Sequence, residues 1–475
     1  MLQQSASNPP LAAQERVDLH QVYMRLLFCT LAGYALLGKG FAYLGIAPLF
    51  IGEIALGLGL CAVFRSGCRL AMLATVPSFL LATLFTLVMT EAVAFIPAYG
   101  VDAIRDSVIL LYSLFAFIVI ALILEKPGRL CWTLGVYGGF AWLYGMIGGV
   151  LFYLSIYLAD NLYDSGMYFP GTGIEMPYVR AGEAAPHLAG AAVFMLLGFR
   201  RVPPAWVLLL FVNILMVSPT RAAMLSCLIP LALAAVLGRQ MRRLAPLLLL
   251  AGMLLAVMYA IGLEIQQSDR PDQRYVSAAQ IVENVESILG TSEATNLDAT
   301  KEWRLRWWQT IWNYTFNGPY FWTGKGYGMA LFQADGFADD VKGQPVLRSP
   351  HNIYMTVLAR SGVPGLALWG VTLLAWFTAL MNAHIVARLR GENQWANLFL
   401  WVGCYALAIL IDASFDVALE GPMLGIWFWS LFGFGMASVM VYRACLDTAG
   451  TVPLLYRRPS SEPHRFAQRP PNGGP

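Results

Sequence analysis

Long apolar stretches recur along most of this chain, separated by short polar or basic segments. A helix needs roughly 20 apolar residues to cross about 30 Å of hydrocarbon. Residues 21–64 are long enough for two spans with a turn near Lys39, and 184–199 is a shorter candidate. Stretches free of Lys, Arg, Asp and Glu lie at 70–90, 107–124, 130–159, 202–220, 222–238, 244–263, 361–387, 393–411 and 421–442. The pattern predicts an all-α polytopic membrane protein with about twelve transmembrane helices.

The basic residues of the short loops indicate which side of the membrane each loop occupies. Alternate loops are the more basic ones, and they carry Arg65, Arg69, Lys126, Arg129, Arg200, Arg201, Arg239, Arg242, Arg243, Arg388 and Arg390. The intervening loops carry only Lys39, Arg105, Arg180 and Arg221. Because cytoplasmic loops are enriched in Lys and Arg, both termini are expected in the cytoplasm.

This orientation divides the chain into segments. We expect a cytoplasmic N-terminal segment at 1–20, transmembrane helices 1–9 over 21–263, and a large exoplasmic loop at 264–350. A short surface helix and transmembrane helices 10–12 are expected over 351–442. The tail at 443–475 is rich in Pro, Arg and Ser and is expected to be disordered and cytoplasmic. Loops as long as 264–350 usually have a function, which directs attention to the exoplasmic face.

Composition narrows the classes of function. Only 12% of the residues are charged and 58% are hydrophobic, whereas a soluble domain is about 25% charged. This excludes a soluble multidomain enzyme, and a net charge of +3 gives no reason to expect a nucleic-acid partner. The seven cysteines are scattered without metal-ligand spacing, so no metal site is indicated.

The large loop contains an aromatic and basic segment with helical periodicity. At about 100° per residue, one face of 302–312 carries Trp303, Arg304, Trp307, Trp308, Ile311 and Trp312. An interfacial helix with its aromatic residues at the lipid headgroups accounts for the tryptophans. It does not account for Arg304 in the middle of that face, where a lipid phosphate or a substrate phosphate would bind it.

Two short motifs predict helix starts on the exoplasmic face. Ser218-Pro219-Thr220-Arg221 opens the eighth span, and Ser349-Pro350-His351-Asn352 follows the large loop. Serine is favoured as the N-cap and proline as the first helical residue, so Arg221 and His351 are both expected in a first turn. The positive helix end there favours an anion and a neutral imidazole, which a general base needs. Further on, Ser361-Gly362-Val363-Pro364-Gly365 predicts a helix break.

Structural interpretations of several residues remain open at this point. Arg221 would also serve as a headgroup anchor, and a lone interfacial histidine is more often structural than catalytic. Glu53 and Arg25, within the early spans, suggest a buried ion pair or an ion path. The segment 323–328 lacks P-loop spacing and is interpreted as a tight turn. The exoplasmic charges either bind sugar hydroxyls or solvate a loop: Asp102, Arg105 and Asp106.

Taken in order, these motifs resemble the O-antigen ligase and Wzy-type polysaccharide polymerase superfamily. That family has an Arg opening a span after a short polar stretch, matched by 218–221. It has an Arg four residues before a Trp, matched by Arg304 and Trp308, followed by a glycine-rich turn. It also has a His-Asn pair followed by a Gly-x-Pro-Gly break, matched by 351–352 and 362–365. The resemblance covers roughly residues 180–370. Near the sixth span, where the family often has Asn, this chain has His187.

The resemblance implies a GT-C-like membrane glycosyltransferase that is inverting, independent of metal and free of cofactors. The donor would be a glycan on undecaprenyl pyrophosphate, and the acceptor a sugar hydroxyl on lipid A–core or on a second lipid-linked glycan. The active site would face the periplasm from the bacterial inner membrane. Arg221 and Arg304 would hold the pyrophosphate while His351 accepts a proton. The implied substrate-binding residues are Arg180, His187, Trp308, Arg348 and Asn352.

Other functions remain open from the sequence. Ligase and polymerase would share the same site chemistry, so the motifs do not separate them. A transporter of lipid-linked sugar or another solute would need charged groups along a midplane path, where only Arg25 and Glu53 lie. A non-catalytic assembly subunit would not need His351. The gathering of one histidine and two arginines at one face favours the transferase.

Overall fold

The computed structural model describes residues 18–161, 178–262, 264–265, 276–277, 295–337 and 348–447. The helices are α1 Leu19–Leu37, α2 Lys39–Ala42, α3 Ile51–Arg65, α4 Val76–Tyr99, α5 Val101–Asp106, α6 Val108–Leu111, α7 Leu114–Glu125, α8 Gly128–Asn161, α9 Ala181–Leu196, α10 Pro204–Val217, α11 Arg221–Leu237, α12 Met241–Ala260, α13 Thr295–Phe316, α14 Leu331–Ala334, α15 Ile353–Leu389, α16 Asn393–Ala413 and α17 Pro422–Asp447. Short 3₁₀ turns occupy Ala71–Leu73 and Ala418–Glu420. Two antiparallel hairpins pair Gly45–Ile46 with Leu49–Phe50 and Glu264–Ile265 with Val276–Ser277.

Helices occur at the positions where the apolar stretches predict spans. In the described part of the chain, six are long and apolar enough to cross a membrane: Val76–Tyr99, Val108–Glu125, Gly128–Leu158, Ile353–Leu389, Asn393–Ala413 and Pro422–Asp447. Two shorter apolar helices are Pro204–Val217 and Arg221–Leu237. An all-α polytopic membrane protein is therefore confirmed, while the full set of about twelve crossings stays a prediction. The predictions for 1–17, for 448–475 and for the parts of the large loop at 266–275, 278–294 and 338–347 lie outside the described residues.

Helix α17 forms the centre of the bundle and packs along α7 and α16. A Cβ atom on Gly433 would lie 2.3 Å from the carbonyl oxygen of Ala116, so the backbones of α7 and α17 approach closely there. Buried indoles donate to backbone carbonyls of neighbouring helices, in the pairs Trp376–Phe432, Trp401–Gly190, Trp427–Leu31 and Trp429–Ile109. These bonds satisfy polar groups in a region where water is scarce.

Helix α15 is broken where the sequence predicts it. Gly362 has a φ of 64° and a ψ of −164°, which separates a short helix at 353–361 from the long remainder. The break frees the last carbonyls of the short helix, and the glycine-rich turn satisfies them. The N–H groups of Lys325 and Gly326 donate to the carbonyls of Ala359 and Arg360 at 2.7 and 3.0 Å. The segment 323–328 is thus the expected tight turn, and it acts as a cap on the short helix.

Substitution of Gly362 tests this junction. A Cβ atom there would lie 2.4 Å from the carbonyl oxygen of Phe321, at a φ that alanine rarely adopts. Gly362→Ala is therefore expected to destabilise the protein by about 2 kcal/mol or more. The control is Gly370→Ala in the same helix, where a Cβ meets nothing within 4 Å. Thermal unfolding in detergent measures the difference, and equal melting temperatures for the two variants would contradict the prediction.

The early charged residues do not form the pair considered from the sequence. Glu53 lies in the first turn of α3, where it accepts hydrogen bonds from the Tyr112 hydroxyl at 2.7 Å and from the Phe50 N–H at 3.2 Å. Arg25 is exposed on α1. The interpretation as a buried Arg25–Glu53 ion pair is therefore wrong, because the Glu53 carboxylate is bound by the Tyr112 hydroxyl and by the backbone N–H at the start of α3.

Candidate active site

His351 lies immediately before α15 rather than inside its first turn. The N-cap is Asn352, whose Oδ1 accepts hydrogen bonds from the N–H groups of Tyr354 and Met355 at 2.9 and 3.1 Å. The predicted start at Ser349 is therefore wrong, because the asparagine cap lies closer to the apolar run and satisfies two helix donors. His351 is therefore not in the first turn of the helix, so the position predicted to favour a neutral imidazole is not the one it occupies.

The other predicted helix start is displaced in the same way. The N-cap of α11 is Thr220, whose Oγ1 accepts a hydrogen bond from the Ala223 N–H at 3.3 Å, while Ser218 terminates α10. Arg221 is the first residue of α11 and so does occupy a first turn, as expected.

The backbone of His351 is left-handed, with a φ of 54°. This conformation costs a residue with a Cβ atom roughly 1–2 kcal/mol, so the surrounding structure must hold it. Strained residues of this kind cluster at functional sites, which draws attention to what the imidazole contacts.

The imidazole of His351 faces a carboxylate that the sequence reasoning did not single out. Its Nδ1 lies 3.3 Å from Oδ1 of Asp416, in the segment that joins α16 to α17. The second oxygen of Asp416 lies 3.4 Å from Nη1 of Arg180, the N-cap of α9. Arg180 also donates from Nε to Glu183 at 2.9 Å. One carboxylate thus joins the predicted base to a predicted binding residue.

The partners of Asp416 determine its charge. Burial alone would raise the pKa of this carboxyl group, but the hydrogen bond with His351 and the charge of Arg180 outweigh it and hold the pKa well below its ordinary value. Asp416 is therefore an anion at any physiological pH. It accepts the Nδ1–H of His351 and leaves Nε2 as the free ring nitrogen.

Arg304, on α13, reaches the same segment. Its Nη1 donates to the carbonyl oxygen of Phe415 at 2.8 Å, one residue before Asp416. Its Nε is buried and has no hydrogen-bond partner among the described residues. Burial lowers the pKa of this guanidinium, and the charge of Asp416 opposes the shift. A buried N–H donor that no described residue fills, on a partly exposed cation, is suited to an anionic ligand.

Arg221 begins α11 at the end of the bundle where Arg180 caps α9. Helices α9 and α11 pack together, and Sγ of Cys227 contacts the carbonyl oxygen of Ala185 at 3.4 Å. At their other ends, a Cβ atom on Gly238 would lie 2.6 Å from the side chain of Leu197, so the two helices run parallel with their N-termini at the same end. Nη2 of Arg221 is buried without a hydrogen-bond partner within the part of the chain that the structure describes.

Much of the predicted aromatic face of α13 packs against other parts of the protein. Trp307 and Ile311 are fully buried, together with Leu331, Phe332, Phe337, Leu358 and Ala359. The interfacial interpretation is thus wrong for Trp307, because Phe332 and Phe337 pack on its ring and its N–H donates to Asp335 at 2.6 Å. Trp312 remains 45% exposed. The indole N–H of Trp308 donates to the carbonyl oxygen of Pro350 at 2.9 Å, one residue before His351.

Arg348 is engaged in an ionic network that fixes the turn. It donates from Nε and Nη2 to the two oxygens of Asp106 at 2.9 and 3.0 Å, and to the carbonyl oxygen of Gly328 at 2.8 Å. Nη2 of the buried Arg360 lies 2.9 Å from the same carboxylate. The hydrogen bonds with Asp106 raise the pKa of Arg348, against the effect of burial. Asp106 therefore binds two arginines and has a structural role.

His187 lies inside the aromatic core of the bundle. Its side chain is almost fully buried, and Nδ1 lies 2.5 Å from the hydroxyl of Tyr405. The rings around it are Phe140, Tyr144, Tyr405 and Trp427. The structure brings His351, Arg180 and Arg304 together through residues 415–416, whereas the contacts of His187 are with aromatic side chains.

A sequence signal for Asp416 does exist. Asp412, Asp416 and Glu420 recur every four residues between the apolar stretches 393–411 and 421–442, and acidic residues at such a position are usually functional. In the residues that the structure describes, no group of three His, Cys, Asp or Glu side chains could hold a metal ion.

Comparison with models of protein families finds one match, which covers several residues of this site. Residues 206–370 match the model of the O-antigen ligase family. This region runs from α10 into α15 and includes Arg221, Arg304 and His351. The resemblance inferred from the motifs is thereby confirmed, and it supports a membrane protein that ligates or polymerises glycans. A comparison with curated proteins finds no match.

Proposed function

We propose that this protein transfers a glycan from undecaprenyl pyrophosphate to a sugar hydroxyl, at the periplasmic face of the bacterial inner membrane. The observation that carries the proposal is the His351–Asp416 pair next to Arg304, whose buried Nε has no hydrogen-bond partner among the described residues. A base and a cation at one site are what acid–base transfer of a glycan from a pyrophosphate requires. The O-antigen ligase match supports a lipid-linked glycan as the substrate.

His351 is the general base in this proposal. Asp416 fixes the ring through Nδ1, so Nε2 presents its lone pair to the acceptor hydroxyl. The side chain is 19% exposed, which leaves the imidazole accessible to a substrate. The positive charge that develops on the ring is stabilised by the adjacent carboxylate.

Arg304 and Arg221 bind the pyrophosphate. As the acceptor oxygen bonds to the anomeric carbon, the bond from that carbon to the pyrophosphate oxygen breaks and its electron pair leaves with the phosphate. Nε of Arg304 and Nη2 of Arg221, which have no hydrogen-bond partner among the described residues, stabilise this charge, and the N-terminus of α11 adds backbone N–H groups. Attack opposite the leaving group inverts the anomeric carbon. The arginines supply the positive charge, so the reaction is metal-independent.

The remaining predicted binding residues support the site from within the protein. Arg180 is neutralised by Glu183 and Asp416, and Arg348 by Asp106, so neither has its full charge available for a phosphate. Asn352 is used as a helix cap and donates from Nδ2 to the carbonyl oxygen of Ser414 at 3.0 Å. We therefore assign the contacts with the pyrophosphate to Arg221 and Arg304.

Transfer by the purified protein tests the proposal. The protein in nanodiscs is mixed with lipid-linked glycan extracted from membranes of a strain that lacks it, without nucleotide and with a chelator. Added lipid A–core is expected to receive the glycan if the protein is a ligase, and the lipid-linked chains are expected to lengthen if it is a polymerase. If neither product forms, while vesicles containing the protein move labelled lipid-linked glycan across the membrane, the transporter is the correct function.

A further inference from the structure

We propose that α13 is a clamp that holds the His351–Asp416 pair in its reactive arrangement, with Trp308 as a positioning residue for His351. The inference rests on the proposed function, which supplies the role of His351. It deepens that function by assigning Trp308 to the alignment of the base, where the sequence suggested contact with substrate.

The clamp has two contacts on one side of one helix. Arg304 and Trp308 are four residues apart and therefore occupy adjacent turns of α13. Arg304 binds the carbonyl of Phe415, and Trp308 binds the carbonyl of Pro350. Each of these carbonyls belongs to the peptide group directly before one member of the pair. The same helix thus fixes the chain next to both the imidazole and the carboxylate.

The contact with Pro350 acts on the strained torsion itself. The φ of His351 describes rotation about its N–Cα bond, and the Pro350 carbonyl belongs to the peptide plane on one side of that bond. If φ relaxed from 54° to a negative value, this carbonyl would rotate away from the indole N–H of Trp308. The hydrogen bond therefore opposes relaxation and keeps the imidazole directed at Asp416.

The neighbours of His351 are bound to the segment between α16 and α17. Asn352 donates to the carbonyl of Ser414, and the hydroxyl of Ser349 lies 2.6 Å from Oε1 of Glu420. Trp308 connects the same short stretch to α13. The Pro350 carbonyl is therefore held by an element that neither Ser349 nor Asn352 contacts through these bonds.

The chain offers a matched control for Trp308. Trp312 lies one turn further along α13, is 45% exposed and stacks on Phe316 with ring centres 4.1 Å apart. Trp308→Phe and Trp312→Phe make the same chemical change on the same helix. Only the first removes the hydrogen bond to Pro350.

The first measurement is steady-state transfer with lipid-linked glycan extracted from the membranes of a strain lacking the protein. Trp308→Phe is expected to lower kcat about tenfold with KM changed less than about twofold, because one positioning hydrogen bond is lost. Trp312→Phe is expected to match the wild type. Equal kcat values for the two variants would overturn the clamp while leaving the transferase intact.

A second measurement does not depend on activity. Diethyl pyrocarbonate modifies accessible imidazoles, and peptide mass spectrometry reports the rate at His351, with the buried His187 and His384 as internal references. Trp308→Phe is expected to change the rate at His351 at least about threefold, and Trp312→Phe to leave it unchanged. An unchanged rate in both variants overturns the clamp even if no transfer activity is found. If Trp308→Phe does not accumulate, 3-benzothienylalanine at 308 keeps the ring size and removes only the N–H.

Discussion

Replacing His351 with alanine is expected to lower glycan transfer roughly a hundredfold to ten-thousandfold, the usual contribution of a positioned general base. The acceptor hydroxyl would have no proton acceptor, while Arg304 and Arg221 would still bind the pyrophosphate. The measurement is a gel of surface polysaccharide from cells that lack the protein, complemented with wild type or His351→Ala. Membrane levels are expected to be equal, since histidine and alanine both carry a Cβ atom at this left-handed position and the imidazole is partly exposed.

The control for this experiment is His20→Ala. His20 lies at the start of α1, where Nδ1 contacts Oε2 of Glu125 at 2.6 Å, and the proposal gives it no chemical role. This variant is expected to restore normal glycan. In cells with His351→Ala, long lipid-linked chains would identify a ligase, and single repeat units would identify a polymerase. Normal glycan with His351→Ala would remove the proposed base and favour the assembly or transport function.

The helices could be predicted well because each depends on local sequence. The apolar runs are longer than the turns between them, so their lengths predict the helices directly. The break at Gly362 was also local, since Gly and Pro lie within four residues. The helix starts were less predictable. Residue type favours Ser218 and Ser349 as caps. Thr220 and Asn352 are also good caps, however, and they lie closer to the first helical N–H groups, which they bind.

The availability of each arginine could not be predicted from the sequence. From the sequence, Arg180, Arg221 and Arg304 are equivalent as isolated cations at one predicted face of the membrane. In the folded chain, Glu183 and Asp416 occupy Arg180, whereas Arg221 and Arg304 each retain a buried nitrogen without a partner among the described residues. Which cation is available for a phosphate therefore depends on contacts between distant parts of the chain.

The partner of His351 was missed for a related reason. Asp416 is 65 residues away, beyond both α15 and α16, so no spacing rule connects the two residues. The helical periodicity correctly placed Trp308 on the same face as Arg304. The periodicity could not show that the indole N–H reaches the Pro350 carbonyl, because that contact depends on how α13 packs against the start of α15.

Asp416→Asn is expected to lower transfer by about a hundredfold to ten-thousandfold, comparable to the loss of the base itself. Asparagine is nearly the same size, so the segment between α16 and α17 should keep its shape. An amide N–H directed at Nδ1 would place the ring proton on Nε2, which would then donate to the acceptor hydroxyl instead of accepting its proton. The control is Asp102→Asn, a carboxylate with 46% of its side chain exposed.

The pH dependence distinguishes this charge from others at the site. Because His351 and Arg180 hold the pKa of Asp416 below its ordinary value despite burial, the carboxylate stabilises the folded state fully at pH values above about 4, the unfolded-state pKa. That stabilisation is lost as the pH falls through the folded-state pKa. With His351→Gln in both proteins, so that no imidazole next to Asp416 titrates over the same range, the melting-temperature difference made by Asp416→Asn is therefore expected to be constant from about pH 8 to pH 5 and to shrink only in stronger acid. A difference that disappears between pH 7 and pH 5 in this background would mean that Asp416 titrates there and is not the permanent anion that orients His351.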